Sequence, residues 1–150
     1  MSTWDMGKGV VEFPSGRRIR GRSWGESVCE YADVTAVLTT ATAQEFAERN
    51  APGIAHDVVY ISWPDYRIPR RPQQAKDQLR QLFDRAAHER VEITCGGGVG
   101  RTGTALAMLA MMDGLAPAQA IEYVQNAYNP DSVSSHAQRG FLMAMGRGDC

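Results

Sequence analysis

Cysteine, lysine and net charge are all scarce in this 150-residue chain. Only Cys29, Cys95 and Cys150 are present, unevenly spaced and without a C-x-x-C pair. That excludes a disulfide framework and a zinc site built on such pairs. An odd thiol count fits a reducing compartment, where one cysteine can stay reactive. The formal charge is −1, from 16 basic and 17 acidic side chains. A nucleic-acid binder normally carries a clear positive excess, so no nucleic-acid partner is expected. No run approaches 18 consecutive apolar residues, and Met1 to Val11 holds charges at Asp5 and Lys8 without an apolar core. Neither a membrane span nor a secretory signal is therefore expected. Internal repeats and low-complexity tracts are absent too. These absences point to a cytoplasmic, single-domain protein over residues 1–150. A monomer is the favoured state.

What is present is an ordinary globular composition, 43% hydrophobic and 22% charged. A chain of this length buries about 68–70% of its unfolded surface. Of the 16 basic residues only Lys8 and Lys76 are lysine, which leaves 14 arginines. Arginine's planar fork suits oxyanions, but a GC-rich genome produces the same bias, and that reading is preferred for most of them.

The apolar pattern alternates strand-like and helix-like segments. Val10 to Phe13 and Ile19 to Gly21 read as two short strands joined by the turn at Pro14-Ser15-Gly16. Val34 to Thr39 is a β-branched run of strand length, and Thr42-x-x-Glu45 fits a capping box opening a helix to about Arg49. Asp57 to Ile61 is the next strand and delivers the chain to Trp63-Pro64-Asp65. After Pro72, Ala75, Leu79, Leu82, Phe83, Ala86 and Ala87 keep helical spacing. Val91 to Thr94 is a strand running straight into Cys95 and a glycine-rich turn. Thr102 to Met112 is apolar on nearly every side and predicts a buried helix. Two more helices follow, one from Pro117 through Val124 and one from Ser135 to Met145. The fold class expected is α/β, with a central, largely parallel sheet flanked by helices and a helical C-terminal third. Ligands of such sheets bind beyond the strands' carboxyl ends. Two predicted strand ends carry chemistry here: Asp65 and Cys95.

Cys95-Gly96-Gly97-Gly98-Val99-Gly100-Arg101-Thr102 is the decisive string. Four glycines in five residues let the backbone curl so that successive N–H groups point inward, an anion-binding nest. The helix that follows adds its positive end and free N–H groups to the same spot. Arg101 can close the ring with a bidentate grip on two oxygens. Such surroundings favour thiolate over thiol. The competing reading is a buried cysteine beside a flexible turn. It leaves four glycines and an arginine without a purpose. No Gly-Lys-Ser/Thr follows, so this is not a nucleotide-binding Walker loop. Transferring phosphate from an ester oxygen also needs an acid for the leaving group, and Asp65 stands on the preceding strand's loop, 30 residues before Cys95.

Cys95-x5-Arg101-Thr102, with glycines at 98 and 100, resembles the phosphate loop of cysteine-dependent protein tyrosine and dual-specificity phosphatases. Trp63-Pro64-Asp65 is similar to that superfamily's mobile general-acid loop. The order, acid before cysteine, matches as well, and the similarity spans Val10 to Met145. The small size looks like the dual-specificity or compact prokaryotic-type members. The resemblance implies a protein tyrosine phosphatase-like fold and a role for each matching residue. Cys95 would attack phosphorus and form a phosphocysteine, and Asp65 would protonate the leaving oxygen and later serve as base. Gly96, Gly97, Gly98, Val99, Gly100 and Arg101 would hold the phosphoryl group, with no metal and no cofactor. Thr102 would hydrogen-bond the sulfur, and Gln138 matches a water-orienting position. The implied partner is a phosphorylated protein or peptide.

The chain departs from the family at Thr94, where a histidine is usual; a threonine hydroxyl would supply part of that histidine's hydrogen bonding. No tyrosine-containing recognition loop is visible, so phosphotyrosine and phosphoserine or phosphothreonine remain open as substrates. Arg67, Arg70, Arg71 and Lys76 against Asp65 give a local +3 (+4 − 1), either a steering patch for acidic partners or a solvated face. His56, His88 and His136 lack metal-ligand spacing, and Met111, Met112, Met143 and Met145 read as core filler. Cys29 reads as a buried, strand-side thiol. Two other functions use related motifs. An arsenate reductase would need Cys29 or Cys150 to resolve Cys95, and a sulfurtransferase has no use for Asp65. A catalytically weak phosphate-binding module would be expected to have lost Cys95, Arg101 or Asp65, and all three are there.

Overall fold

The computed structural model describes residues 3–148. Met1, where the segment read as lacking a leader begins, and Cys150, one possible resolving thiol, lie outside the described residues. Five strands form one sheet in the order β1-β2-β5-β3-β4. They are β1 (Val10–Glu12), β2 (Arg18–Ser23), β3 (Val34–Thr39), β4 (Asp57–Ser62) and β5 (Val91–Cys95). Only β1 runs antiparallel, paired with β2; the β2–β5, β5–β3 and β3–β4 pairs are all parallel. The α/β class and the largely parallel sheet are as expected.

Five helices complete the described residues: α1 (Ala43–Ala47), α2 (Pro72–Arg85), α3 (Gly100–Met112), α4 (Pro117–Ala127) and α5 (His136–Gly146). The capping box at Thr42 forms, with both the Thr42 side chain and the Glu45 side chain engaged. Helix α3 lies at the centre, against α2, α4, α5, β2 and β5. Every residue from Arg101 to Ala110 is buried, which explains a helix without a polar face: it has no solvent side to present. The main core joins α3 to Ile19, Val34, Leu38, Ile93, Leu79 and Leu142, among others. Among the described residues no helix is long and apolar enough to cross a membrane.

Two local differences from the sequence reading matter. Helix α3 begins at Gly100 rather than Thr102, because the Gly103 amide already donates to Val99 O at 2.7 Å. This places Arg101 inside the first helical turn. Strand β2 extends from Arg18 to Ser23, twice the predicted length, and two of its arginines turn inward. Glu92 of β5, fully buried, accepts from Arg20 Nη2 at 2.6 Å, Arg22 Nε at 2.7 Å and Thr35 Oγ1 at 2.8 Å. A buried carboxylate survives only if its charge and lone pairs are met, and these three side chains meet them. Arg22 spends its remaining donors on the carbonyls of Ser23, Glu26 and Pro52. It thereby pins the segment that leaves β2. Arg20 and Arg22, two of the 14 arginines, are therefore structural.

Parallel pairing brings one set of strand ends to a common edge. Ser23 is in register with Cys95, and Thr39 with Ser62. Beyond that edge lie the segment after β2, the glycine turn after β5 and the Trp63-Pro64-Asp65 loop after β4.

Candidate active site

Cys95 is the last residue of β5 and is 2% exposed. Its sulfur accepts the Gly98 amide at 3.2 Å and the Thr102 hydroxyl at 3.0 Å. The sulfur is thus an acceptor twice over, from one loop amide and one hydroxyl of α3. The loop's curvature has identifiable causes. Gly98 adopts φ +70°, the left-handed region, and a Cβ there would stand 2.4 Å from the Ser23 amide nitrogen. Neither the dihedral nor the space admits a side chain. Two carbonyls of the loop are drawn away from its centre. Ser23 Oγ donates to Gly96 O at 2.6 Å, and the Tyr128 hydroxyl donates to Gly98 O. Burial pushes the Tyr128 phenol well above its ordinary pKa, and negative charge at Cys95 adds to this. It therefore stays a donor. With those two carbonyls held by outside partners, the Gly98 amide turns to the sulfur, the way a nest presents its amides to an anion. Val99 offers α3 no side-chain cap, so the helix start contributes unclaimed N–H groups as well.

Gly98→Ala tests this account of the loop. The substitution adds left-handed strain and a backbone collision with Ser23, so the loop must shift. We expect a loss of about 1–3 kcal/mol in unfolding free energy. Vanadate affinity and turnover should fall by about 10²-fold, the scale of an ångström-level misplacement. Urea titration and vanadate inhibition together measure both.

Arg101 is 7% exposed and its guanidinium is divided between structure and site. Nη1 donates to Leu38 O and Trp63 O, both at 3.1 Å. Nε is buried without a hydrogen-bond partner. The nearest carboxylate oxygen to Nε, Asp65 Oδ1, is 3.6 Å away, beyond a hydrogen bond. Nη2 faces the loop, 3.3 Å from where a Gly96 Cβ would stand. The Nε–Nη2 edge is therefore the face left for a bidentate oxyanion. An orphaned, buried Nε is costly unless something occupies it.

Asp65 lies beside the Nε end of that edge, its side chain 60% exposed. Its Oδ1 accepts the Tyr66 amide at 3.0 Å. The loop beneath it is tied down by buried Trp63, whose Nε1 donates to Arg67 O at 2.7 Å, and by the Ser135 hydroxyl, which donates to Tyr66 O at 2.7 Å. Trp63 thus anchors the loop. Gln138 is buried rather than solvated: Oε1 accepts the Ser134 amide at 3.1 Å, and Nε2 donates to Arg67 O at 3.3 Å. It lies between the acid loop and the start of α3, near Gly100.

Three expectations need correction. The Thr94 hydroxyl donates to Ala36 O at 2.9 Å; it serves the neighbouring strand and does not stand in for the family's histidine. Cys29 is exposed, not buried and strand-side, because the chain between β2 and β3 has no regular structure there. It lines a cleft of about 470 Å³ together with Gly97, Gly98, Val99 and Tyr128, whereas Cys95, Asp65 and Arg101 are not among its walls. Met143 is 37% exposed rather than core filler, while Met111, Met112 and Met145 do pack on the core. Ser23, Trp24, Tyr128 and Ser135 had no sequence signal. Each acts across a separation of 30 or more residues, as the 73 between Ser23 and Gly96 illustrate. Among the described residues no cluster of three His, Cys, Asp or Glu side chains is arranged to hold a metal.

Comparison with known proteins bears on the family and the fold. A family model described as "Swiss Army Knife protein, DSP-PTPase phosphatase domain" matches residues 20–143. Receptor-type tyrosine-protein phosphatase epsilon of Rattus norvegicus is 29% identical over an alignment of 99 residues that covers 61% of this chain. The match covers only 14% of that protein's length. Among solved structures, Tk-PTP in its active form superposes with a TM-score of 0.68 at 25% identity, covering 95% of this chain and 99% of that one. Human DUSP28 reaches a TM-score of 0.66 at 12% identity, covering 98% and 97%, a likeness of fold alone.

Proposed function

The chain belongs to the DSP-PTPase phosphatase domain family, and from that premise we propose that it hydrolyses phosphate monoesters on protein side chains through a phosphocysteine. The observation that carries this reading is the pairing of two half-sites. A sulfur receiving two hydrogen bonds sits in a glycine nest, and a buried, unpartnered Arg101 Nε reaches toward Asp65 at 3.6 Å.

In the first step the Cys95 thiolate attacks phosphorus while the bond to the ester oxygen breaks, and Asp65 gives that oxygen its proton. The phenol or alcohol leaves. The inward amides of Gly96 to Gly100 and the Nε–Nη2 edge of Arg101 hold the three equatorial oxygens as their charge redistributes. The second step runs in reverse. Asp65, now a carboxylate, takes a proton from water, the water oxygen attacks phosphorus, and the S–P bond breaks to return thiolate and inorganic phosphate. The Thr102 hydroxyl eases this departure by donating to the leaving sulfur. Gln138, between Gly100 and Arg67, is the side chain assigned to the attacking water. Asp65 also weighs against the sulfurtransferase alternative, in which an acid beside the arginine would have no task.

The test is hydrolysis of p-nitrophenyl phosphate. Turnover is expected to persist in excess EDTA and to be inhibited competitively by vanadate, a mimic of the pentacoordinate phosphorus. Arsenate reduction without phosphatase activity would replace this reading with the reductase.

A further inference from the structure

Trp24 is an aromatic side chain at the phosphate site that the chemistry above does not use. It is half-buried, unlike the fully buried Trp4 and Trp63. It follows β2 directly, and its backbone amide donates to the carbonyl of Cys95 itself at 3.2 Å. Its six-membered ring borders the nest: a Cβ on Gly96 would lie 3.5 Å from Trp24 Cζ2. The Arg101 guanidinium carbon is 5.8 Å from the indole centroid. Phe46 holds the indole edge-to-face at 5.1 Å, and the exposed Arg49 lies 5.6 Å over the ring. The indole is therefore fixed from behind and partly open.

Arg101 relates Trp24 to Asp65. Its Nε side approaches the carboxylate, while its Nη2 side faces Gly96 and the indole. A phosphoryl group on the Nε–Nη2 edge would project its leaving group outward between the acid on one rim and the aromatic ring on the other.

We propose that Trp24 is a specificity-determining wall that stacks the ring of an aryl phosphate, so that this site selects phosphotyrosine over phosphoserine and phosphothreonine. This rests on the phosphatase reading above. An alkyl phosphate places its phosphorus closer to the peptide backbone and has no ring to lay against the indole. The contact is made equally by the bound substrate and the transition state, so it should appear in KM and leave kcat nearly untouched.

Phenolate is also the better leaving group, so the ratio of the two activities in the wild type proves nothing by itself. The informative comparison is how substitution changes KM for one peptide carrying either phosphotyrosine or phosphoserine. Trp24→Leu keeps apolar bulk against Phe46 and removes the flat π face; Trp24→Phe restores a ring. With Trp24→Leu, KM for the phosphotyrosine peptide should rise about 3- to 10-fold, the scale of an aromatic pair. The phosphoserine KM, the vanadate inhibition constant and kcat should stay within about twofold on the same scale, and Trp24→Phe should recover most of the loss. Equal losses for both peptides and vanadate would make Trp24 a loop support and overturn the proposal. So would an unchanged phosphotyrosine KM. If the wild type hydrolyses neither peptide nor p-nitrophenyl phosphate, the phosphatase reading itself fails, a result distinct from either.

Discussion

Cys95→Ser is expected to abolish turnover of p-nitrophenyl phosphate, with a fall of at least about 10⁴-fold, the range seen when a covalent enzyme loses its nucleophile. The substitution is nearly isosteric, so the consequences are chemical. A serine oxygen at this position can still accept the Gly98 amide and the Thr102 hydroxyl, which lie 3.2 Å and 3.0 Å from the sulfur. The nest therefore keeps its shape. What disappears is the ionised nucleophile, because no hydrogen-bonded base among the described residues accompanies Cys95 to take a proton from an alcohol. Two measurements separate chemistry from binding. Steady-state rates in EDTA should collapse, while calorimetric binding of phosphate should remain within a few-fold, since the loop amides and Arg101 are untouched. Full turnover by the serine protein would end the phosphocysteine mechanism.

The Cys95 loop is legible in the amino-acid sequence because its chemistry is local: strand, glycines, arginine and helix start follow one another in eight residues, and nest and dipole both result from backbone geometry over that span. Asp65 is legible by company. It lies at another strand end, and parallel pairing of β3 with both β4 and β5 brings those ends together. The parallel sheet itself follows from strands alternating with helices. What is not legible depends on pairing across long separations. Nothing in Arg18 to Ser23 announces that Arg20 and Arg22 converge on Glu92, 72 and 70 residues away. A strand with arginines at alternate positions reads as solvent-facing, and only the partner carboxylate on β5 turns it inward. The predicted β2 consequently stops short at Gly21. Tyr128 and Ser23 hold the carbonyls of Gly98 and Gly96 from distant elements, and Trp24 carries no signal until β2 is set beside β5. Thr94 shows the opposite limit. A resemblance can assign a position, but the rotamer that sends its hydroxyl to Ala36 O is decided by the neighbouring strand.

Asp65→Asn is expected to slow hydrolysis according to how badly the leaving group needs a proton. Asparagine keeps the size of the side chain and an oxygen that can accept the Tyr66 amide, now at 3.0 Å from Oδ1, so the loop held by Trp63, Ser135 and Arg101 should stay in place. It cannot deliver a proton. A positioned general acid contributes about 10²–10⁴-fold, and that loss should be seen in kcat for a phosphoserine or phosphotyrosine peptide. With p-nitrophenyl phosphate, whose leaving group is stable as an anion, the loss should be much smaller. The slope of log kcat against leaving-group basicity should therefore steepen in the variant. Vanadate binding should hold, because the substitution leaves the loop amides and the Nε–Nη2 edge of Arg101, proposed to receive an oxyanion, in place. The rate falls while the inhibition constant holds, at one residue. A merely structural aspartate would weaken both together, and a loss below about threefold on the peptide substrates, far under the general-acid range, would place the acid elsewhere.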